Sequence, residues 1–235
     1  MSDKICVRNL SVAYGDLTVF DNFSTTFEKG KINVILGGSG VGKSTLIGAM
    51  AGLVKHAGDI DGVDGGISFI FQKERLISSI SVFKNLDLVL KGVFPDKNDR
   101  HKRIDEMLEI LEIADCKNKK PTEISGGQAQ RASMARAFLY PSEVILMDEP
   151  FKALDTTLRH RLLHWLFRLD EITNKTIILV THAIDECLLS ADKYMVLGGK
   201  PAEIVLEGYI DTDKRSRALT DENLIDVRDA LLRSI

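Results

Sequence analysis

The sequence predicts an α/β fold: a mostly parallel sheet, an N-terminal antiparallel β layer and a helical subdomain insertion. Three observations carry this. Short apolar runs alternate with helical patterns along most of the chain, which is how strands wrapped by crossover helices read. The apolar run 32–36 breaks directly into Gly37-Gly38-Ser39-Gly40. Between 81 and 140 the texture becomes helical throughout, with Ile104, Met107, Leu108 and Leu111 spaced i, i+3, i+4, i+7.

Taken in order, residues 5–13 and 19–27 form the antiparallel layer. Residues 32–36 are a buried strand, and a helix follows from 42 to 51, with Gly52 placed to end it. Residues 67–71, 144–147 and 176–180 are further strands, and a helix covers 129–139. A last pair of strands, 194–197 and 203–206, flanks the turn Gly198-Gly199-Lys200-Pro201. The chain closes on a bracing helix over 221–233, and it carries no internal repeat. Its 235 residues fit one domain at the usual ~150 residues or somewhat more. Within residues 1–235, 1–80 and 141–235 form the α/β core and 81–140 the helical subdomain.

Composition narrows the function. Apolar residues at 44% and charged residues at 28% exclude disordered and fibrous classes. A net charge of −3 offers no basic footprint for nucleic acid. No run approaches the ~18 apolar residues of a membrane-spanning helix. Met1-Ser2-Asp3-Lys4 lacks the apolar stretch of a secretory signal. Cys6, Cys116 and Cys187 lie far apart, without metal-ligand spacing, as reduced cytosolic thiols do.

The chemistry begins at Gly37-Gly38-Ser39-Gly40-Val41-Gly42-Lys43-Ser44, a match to G-x-x-x-x-G-K-[ST] between a strand and a helix. Small residues let consecutive backbone N–H groups wrap a polyphosphate, and the helix adds its positive N-terminal end. Lys43 is expected at the β- and γ-phosphates and Ser44 in a Mg²⁺ shell, which makes the core a P-loop NTPase core. Asp148 and Glu149 end the run 144–147. Adjacent strand residues diverge, so Asp148 is assigned to Mg²⁺ and Glu149 to the attacking water. His182, after the strand 176–180, is placed to approach the γ-phosphate.

A second glycine cluster, Ser125-Gly126-Gly127-Gln128, followed by Gln130-Arg131, opens another helix. A helix N-cap by Ser125 accounts for the serine but not for both glycines. One triphosphate does not need two cradles from one chain. Two chains arranged head to tail solve this, the second cradle of each covering the nucleotide held by the other.

With these motifs in place, the chain resembles the ATP-binding subunits of ABC transporters over about residues 5–206. Tyr14 resembles the residue that stacks on adenine, and residues 37–45, Thr45 included, the phosphate loop. Gln72 resembles the glutamine linking Mg²⁺ and water to the membrane partner. Ser125 to Gln128 resemble the family signature, with Ile124 where leucine is commoner. Asp148 and Glu149 match the magnesium aspartate and catalytic glutamate, and His182 the switch histidine. Ala153-Leu154-Asp155 resembles the loop that communicates across the dimer.

The resemblance implies an ATP hydrolase using ATP and Mg²⁺, peripheral on the cytoplasmic face of the membrane. It implies a second ATPase subunit, integral membrane permease subunits and an extracytoplasmic solute-binding protein, with no nucleic acid. Arg75-Leu76-Ile77, Ile80, Val82 and Phe83 then mark the groove for a permease helix. Arg75-Leu76, the stretch 186–192 and Gly199-Lys200-Pro201 are similar to nitrate, sulfonate and taurine importer ATPases, a pattern thiamine-precursor importers share. The chain also ends soon after the core, without the regulatory β-domain of many sugar importers. The alternatives are another ABC class, such as an exporter, or an ABC ATPase acting on nucleic acid. Three positions depart from the family pattern without removing a reacting group. Lys152 replaces a small residue, Gly38 stands where proline is frequent, and Ala129 where a longer polar side chain is common.

Overall fold

The computed structural model describes residues 3–152 and 154–235. The chain begins with β1 (Lys4–Tyr14) and β2 (Leu17–Glu28), then β3 (Ile32–Gly37) and α1 (Lys43–Met50). β4 (Ala57–Asp61) and β5 (Ile67–Ile70) lead into the helices α2 (Val82–Leu90), α3 (Lys97–Ile110) and α4 (Gly126–Leu139). The last part runs β6 (Val144–Asp148), α5 (Thr156–Thr173), β7 (Thr176–Val180), α6 (Ile184–Ser190), β8 (Lys193–Gly198), β9 (Glu203–Tyr209) and α7 (Ile225–Ser234).

One sheet has the order β2-β1-β4 and is antiparallel. The other has the order β5-β6-β7-β3-β8-β9, parallel up to β8, with β9 antiparallel at the edge. Every residue of β3 is buried, which requires cover on both faces of the sheet. Alternation along the strand divides the core: Ile32, Val34 and Leu36 face the helical side, and Ile35 faces α1 and the antiparallel layer. Ile104, Met107, Leu108 and Leu111 join the helical-side core, as their spacing predicts.

The two glycine clusters fold differently. At Gly37 (φ +147) a Cβ would stand 2.5 Å from the Leu197 carbonyl oxygen, and at Gly42 (φ +119) 2.8 Å from Val19. Only glycine permits both the backbone and the close approach. The second cluster is not a loop ahead of a helix at 129. Ser125 accepts from Gln128 N, and the Gln128 side chain accepts from Ser125 N, so α4 begins at Gly126.

Three elements go beyond the sequence expectation, and the expected last helix starts later. β4 has the exposed, polar sequence Ala-Gly-Asp-Ile-Asp, without the apolar alternation that marks a strand. α5 and α6 fill the connections to β7 and β8, and α7 begins only at Ile225, after a 3-10 turn at Glu222–Leu224. Of the residues expected in a surface groove, Ile77 is 45% exposed, whereas Val82 is core.

Candidate active site

In a parallel sheet all strands end on one edge. β6, β7 and β3 are neighbours in that order, so Asp148, His182 and the phosphate loop emerge side by side. A cleft of about 350 Å³ opens there. Ser39, Gly40, Gly42, Lys43, Ser44 and Thr45 line it together with Gln72, Asp148, Glu149 and Lys152. Tyr14, Leu17 and Val19 complete the lining, and Tyr14, its aromatic ring, is 53% exposed.

Lys43, Ser44, Asp148, Glu149 and Lys152 each have a partner within the chain. Lys43 is buried and donates from Nζ to the carbonyls of Gly37 (2.8 Å) and Gly38 (2.9 Å). Burial pushes its ammonium below the usual lysine value, against the pull of Glu149 and Asp148. Ser44 Oγ donates to Asp148 Oδ1 at 2.8 Å. Burial raises the Asp148 carboxyl, with the Ser44 bond opposing it. This hydroxyl and carboxylate are hard oxygen donors meeting beside the phosphate loop, which suits Mg²⁺.

Glu149 and Asp148 do diverge, but not by strand alternation. β6 stops at Asp148, and Glu149 adopts φ +43, its N–H donating to Val180 O at 3.0 Å. Glu149 Oε1 then stands 3.6 Å from His182 Nδ1, and Oε2 2.5 Å from Lys152 Nζ. Burial would lift this carboxyl, but Lys152, His182 and Lys43 outweigh it and hold it below the usual carboxylate range. Such a non-glycine residue at positive φ stores strain and often marks a functional position.

Ser125, Gly126, Gly127, Gln128 and Asp155 are not among the residues lining this cleft. Ser125 caps α4, and Asp155 caps α5 by accepting from Leu158 N at 2.9 Å. Gly127 has an internal reason to be glycine, since a Cβ there would stand 3.0 Å from Leu158. Gly126 has none: nothing lies within 4 Å of its Cβ position. Ala153, expected in the dimer-contact loop, is outside the described residues, as are Met1 and Ser2 at the start.

Several supporting residues go beyond the sequence expectation. Gln130, buried in α4, donates to Pro150 O at 2.7 Å and fixes the turn after Glu149. Arg136 donates to the carbonyls of Arg75 (2.8 Å) and Glu74 (2.9 Å), tying the segment after Gln72 to the same helix. Behind His182, Thr181 donates to the buried Glu186, which also meets Arg159 of α5 at 3.3 Å. The i, i+1 and i+4 signals available in the sequence do not reveal such long-range ties.

A larger cleft, about 710 Å³, lies where β3 and β8 begin, far from these groups. Several of its charges are paired internally: Lys214 with Asp170 and Asp192, Arg215 with Glu171 and Asp213. It contains no phosphate loop, so the chemistry belongs to the smaller cleft. Among the described residues no helix is long and apolar enough to cross a membrane.

Comparison with known proteins bears on the same residues. Residues 20–152 match the family model described as ABC transporter. An aliphatic sulfonates import ATP-binding protein of Paracoccus denitrificans is 36% identical over 238 residues, spanning 100% of this chain and 95% of its own length. A taurine import ATP-binding protein of Burkholderia pseudomallei is 33% identical over 226 residues, spanning 90% and 86%. A solved ATP-binding cassette, dimeric in a post-hydrolysis state with ADP and Pi, superposes with a TM-score of 0.76 at 28% identity, covering 87% of this chain and 98% of that one.

Proposed function

The chain belongs to the ABC transporter family as an ATP-hydrolysing subunit, and from that premise we propose that it powers solute import through a separate membrane permease. The observation that carries the mechanism is the division of its motifs. Lys43, Ser44, Gln72, Asp148 and Glu149 share one cleft, whereas Ser125 to Gln128 and Asp155 stand outside it. A second copy, head to tail, supplies what the cleft lacks. Gly126, bare and unconstrained within its own chain, supports this, because a partner's phosphate can approach its backbone there.

In this reading Tyr14 stacks on adenine, and residues 37–45 with Lys43 hold the phosphates. Ser44, Asp148 and Gln72 are the residues that would hold Mg²⁺, which supplies charge neutralisation to the phosphates when bound. Glu149 orients a water and accepts its proton. The water oxygen forms its bond to the γ-phosphorus as the bond to the bridging oxygen breaks, giving ADP and phosphate. His182 steadies the terminal phosphate. Ser125, Gly126, Gly127, Gln128 and Asp155 act on the nucleotide of the opposite subunit, with 81–140 as the signature subdomain.

The names of the sulfonate and taurine relatives support an importer for small anionic or zwitterionic organic solutes. Nitrate and thiamine-precursor importers belong to the same resemblance. The chain then sits on the cytoplasmic face against permease subunits that meet an extracytoplasmic solute-binding protein. Co-purification of the permease, followed by a solute screen for stimulated ATP hydrolysis, tests this. Full hydrolysis by a monomer carrying Ser125→Arg would overturn the two-chain site.

A further inference from the structure

Lys152 is an unusual presence in this cleft. It follows Glu149 by one tight turn, with Lys152 N donating to Glu149 O at 3.2 Å, and that turn folds its side chain back over the glutamate. Its Nζ lies 2.5 Å from Glu149 Oε2 and its side chain is 45% exposed on the cleft wall. Lys43, by contrast, is buried against its own loop carbonyls. The two lysines make different contacts.

Two consequences follow. The charged side chains lining the cleft are Lys43, Lys152, Asp148 and Glu149. Without Lys152 the lining would be net negative, and a polyanionic triphosphate would enter against repulsion. Moreover, a glutamate that takes a proton from the attacking water must stand beside the terminal phosphate. A cation in contact with that glutamate stands there too.

We propose that Lys152 is a γ-phosphate ligand, an added cation that pairs with Glu149 until a triphosphate enters and then transfers to the terminal phosphate, freeing the glutamate. ADP, which lacks that phosphate, leaves the Lys152–Glu149 pair closed. The pair thus favours triphosphate over diphosphate and silences Glu149 when no γ-phosphate is present. This rests on the ATPase reading above.

Isothermal titration of the full chain with the β,γ-imido analogue of ATP and with ADP tests it. Lys152→Ser is expected to weaken analogue binding about tenfold while ADP binding moves less than twofold, and Lys152→Arg to stay near wild type. The same selective loss is expected in a Glu149→Gln background, where pairing with the glutamate charge is gone. Equal weakening of both nucleotides, no weakening of either, or disappearance of the effect in the Glu149→Gln background would overturn the proposal. If the unmutated chain bound neither nucleotide, the ATPase reading itself would fall instead.

Discussion

Ser44 and Asp148, 104 positions apart in sequence, meet in a 2.8 Å hydrogen bond between the first turn of α1 and the end of β6. The two strands that deliver them are separated only by β7. The pair is thus built by sheet order, and its geometry is set before any ligand arrives. Ser44→Ala removes the donor from a carboxylate that burial already disfavours. The expected cost is about 1 kcal/mol of stability. The Mg²⁺ dependence of nucleotide affinity should flatten as well, while Ser44→Thr retains it; titration with and without the ion reads the difference.

Glu149→Gln keeps the shape of the site and removes the carboxylate proposed as the base. ATP turnover is expected to fall about 10²- to 10⁴-fold. Nucleotide still binds, so an ATP-dependent dimer should accumulate on gel filtration. Turnover at the wild-type rate would exclude Glu149 from the proton transfer.

The two signature glycines should part company. Gly127→Ala presses a methyl against Leu158, whose side chain is 3.0 Å from that position, and this contact offsets the helix propensity that alanine adds. Gly126→Ala meets nothing and improves helix propensity by up to ~1 kcal/mol. The melting temperature of Gly126→Ala should therefore exceed that of Gly127→Ala, by roughly 2–4 °C per kcal/mol of difference. Turnover by Gly126→Ala should nonetheless fall, because the added methyl blocks approach from outside the chain.

Lys175 gives a pH signature remote from the cleft. Burial pushes its ammonium down to about 8 from the usual 10.5, and its Nζ donates to Phe138 O and Tyr140 O. Below pH 8 both folded and unfolded chains carry the proton, and the burial cost is fully present. Between about 8 and 10.5 the unfolded chain holds more protons, so this contribution to stability rises with pH. Unfolding free energies from denaturant titration at neutral and alkaline pH should show a gain with pH that is larger in wild type than in Lys175→Met by on the order of 1 kcal/mol.

The candidate site was legible because its signals are local. A strand, a glycine run and a Lys-Ser pair occupy adjacent positions, and the residues at 144–149 read the same way. β4 was not legible, since an exposed edge strand of Ala-Gly-Asp-Ile-Asp has no face to bury. α5 did carry a signal, with Leu162, Trp165, Leu166 and Leu169 at helical spacing and Asp155 as its cap. Reading Asp155 only as a dimer contact hid its place as a helix cap. The strained turn at Glu149 and the ties made by Gln130 and Arg136 depend on contacts between distant segments, which periodicity does not encode.

Arg136 has a mechanical consequence. Its guanidinium grips two successive carbonyls just beyond Gln72, and Arg75 there is further stacked on Phe71 at 3.8 Å. The other end of the same helix is Ser125, about 16 Å away at 1.5 Å per residue. A rigid strut therefore joins the segment after Gln72 to the N-terminus of α4. Under the proposed two-chain arrangement, a tilt imposed at Gln72 swings Ser125 with it, and the two half-sites of a pair engage and release in step.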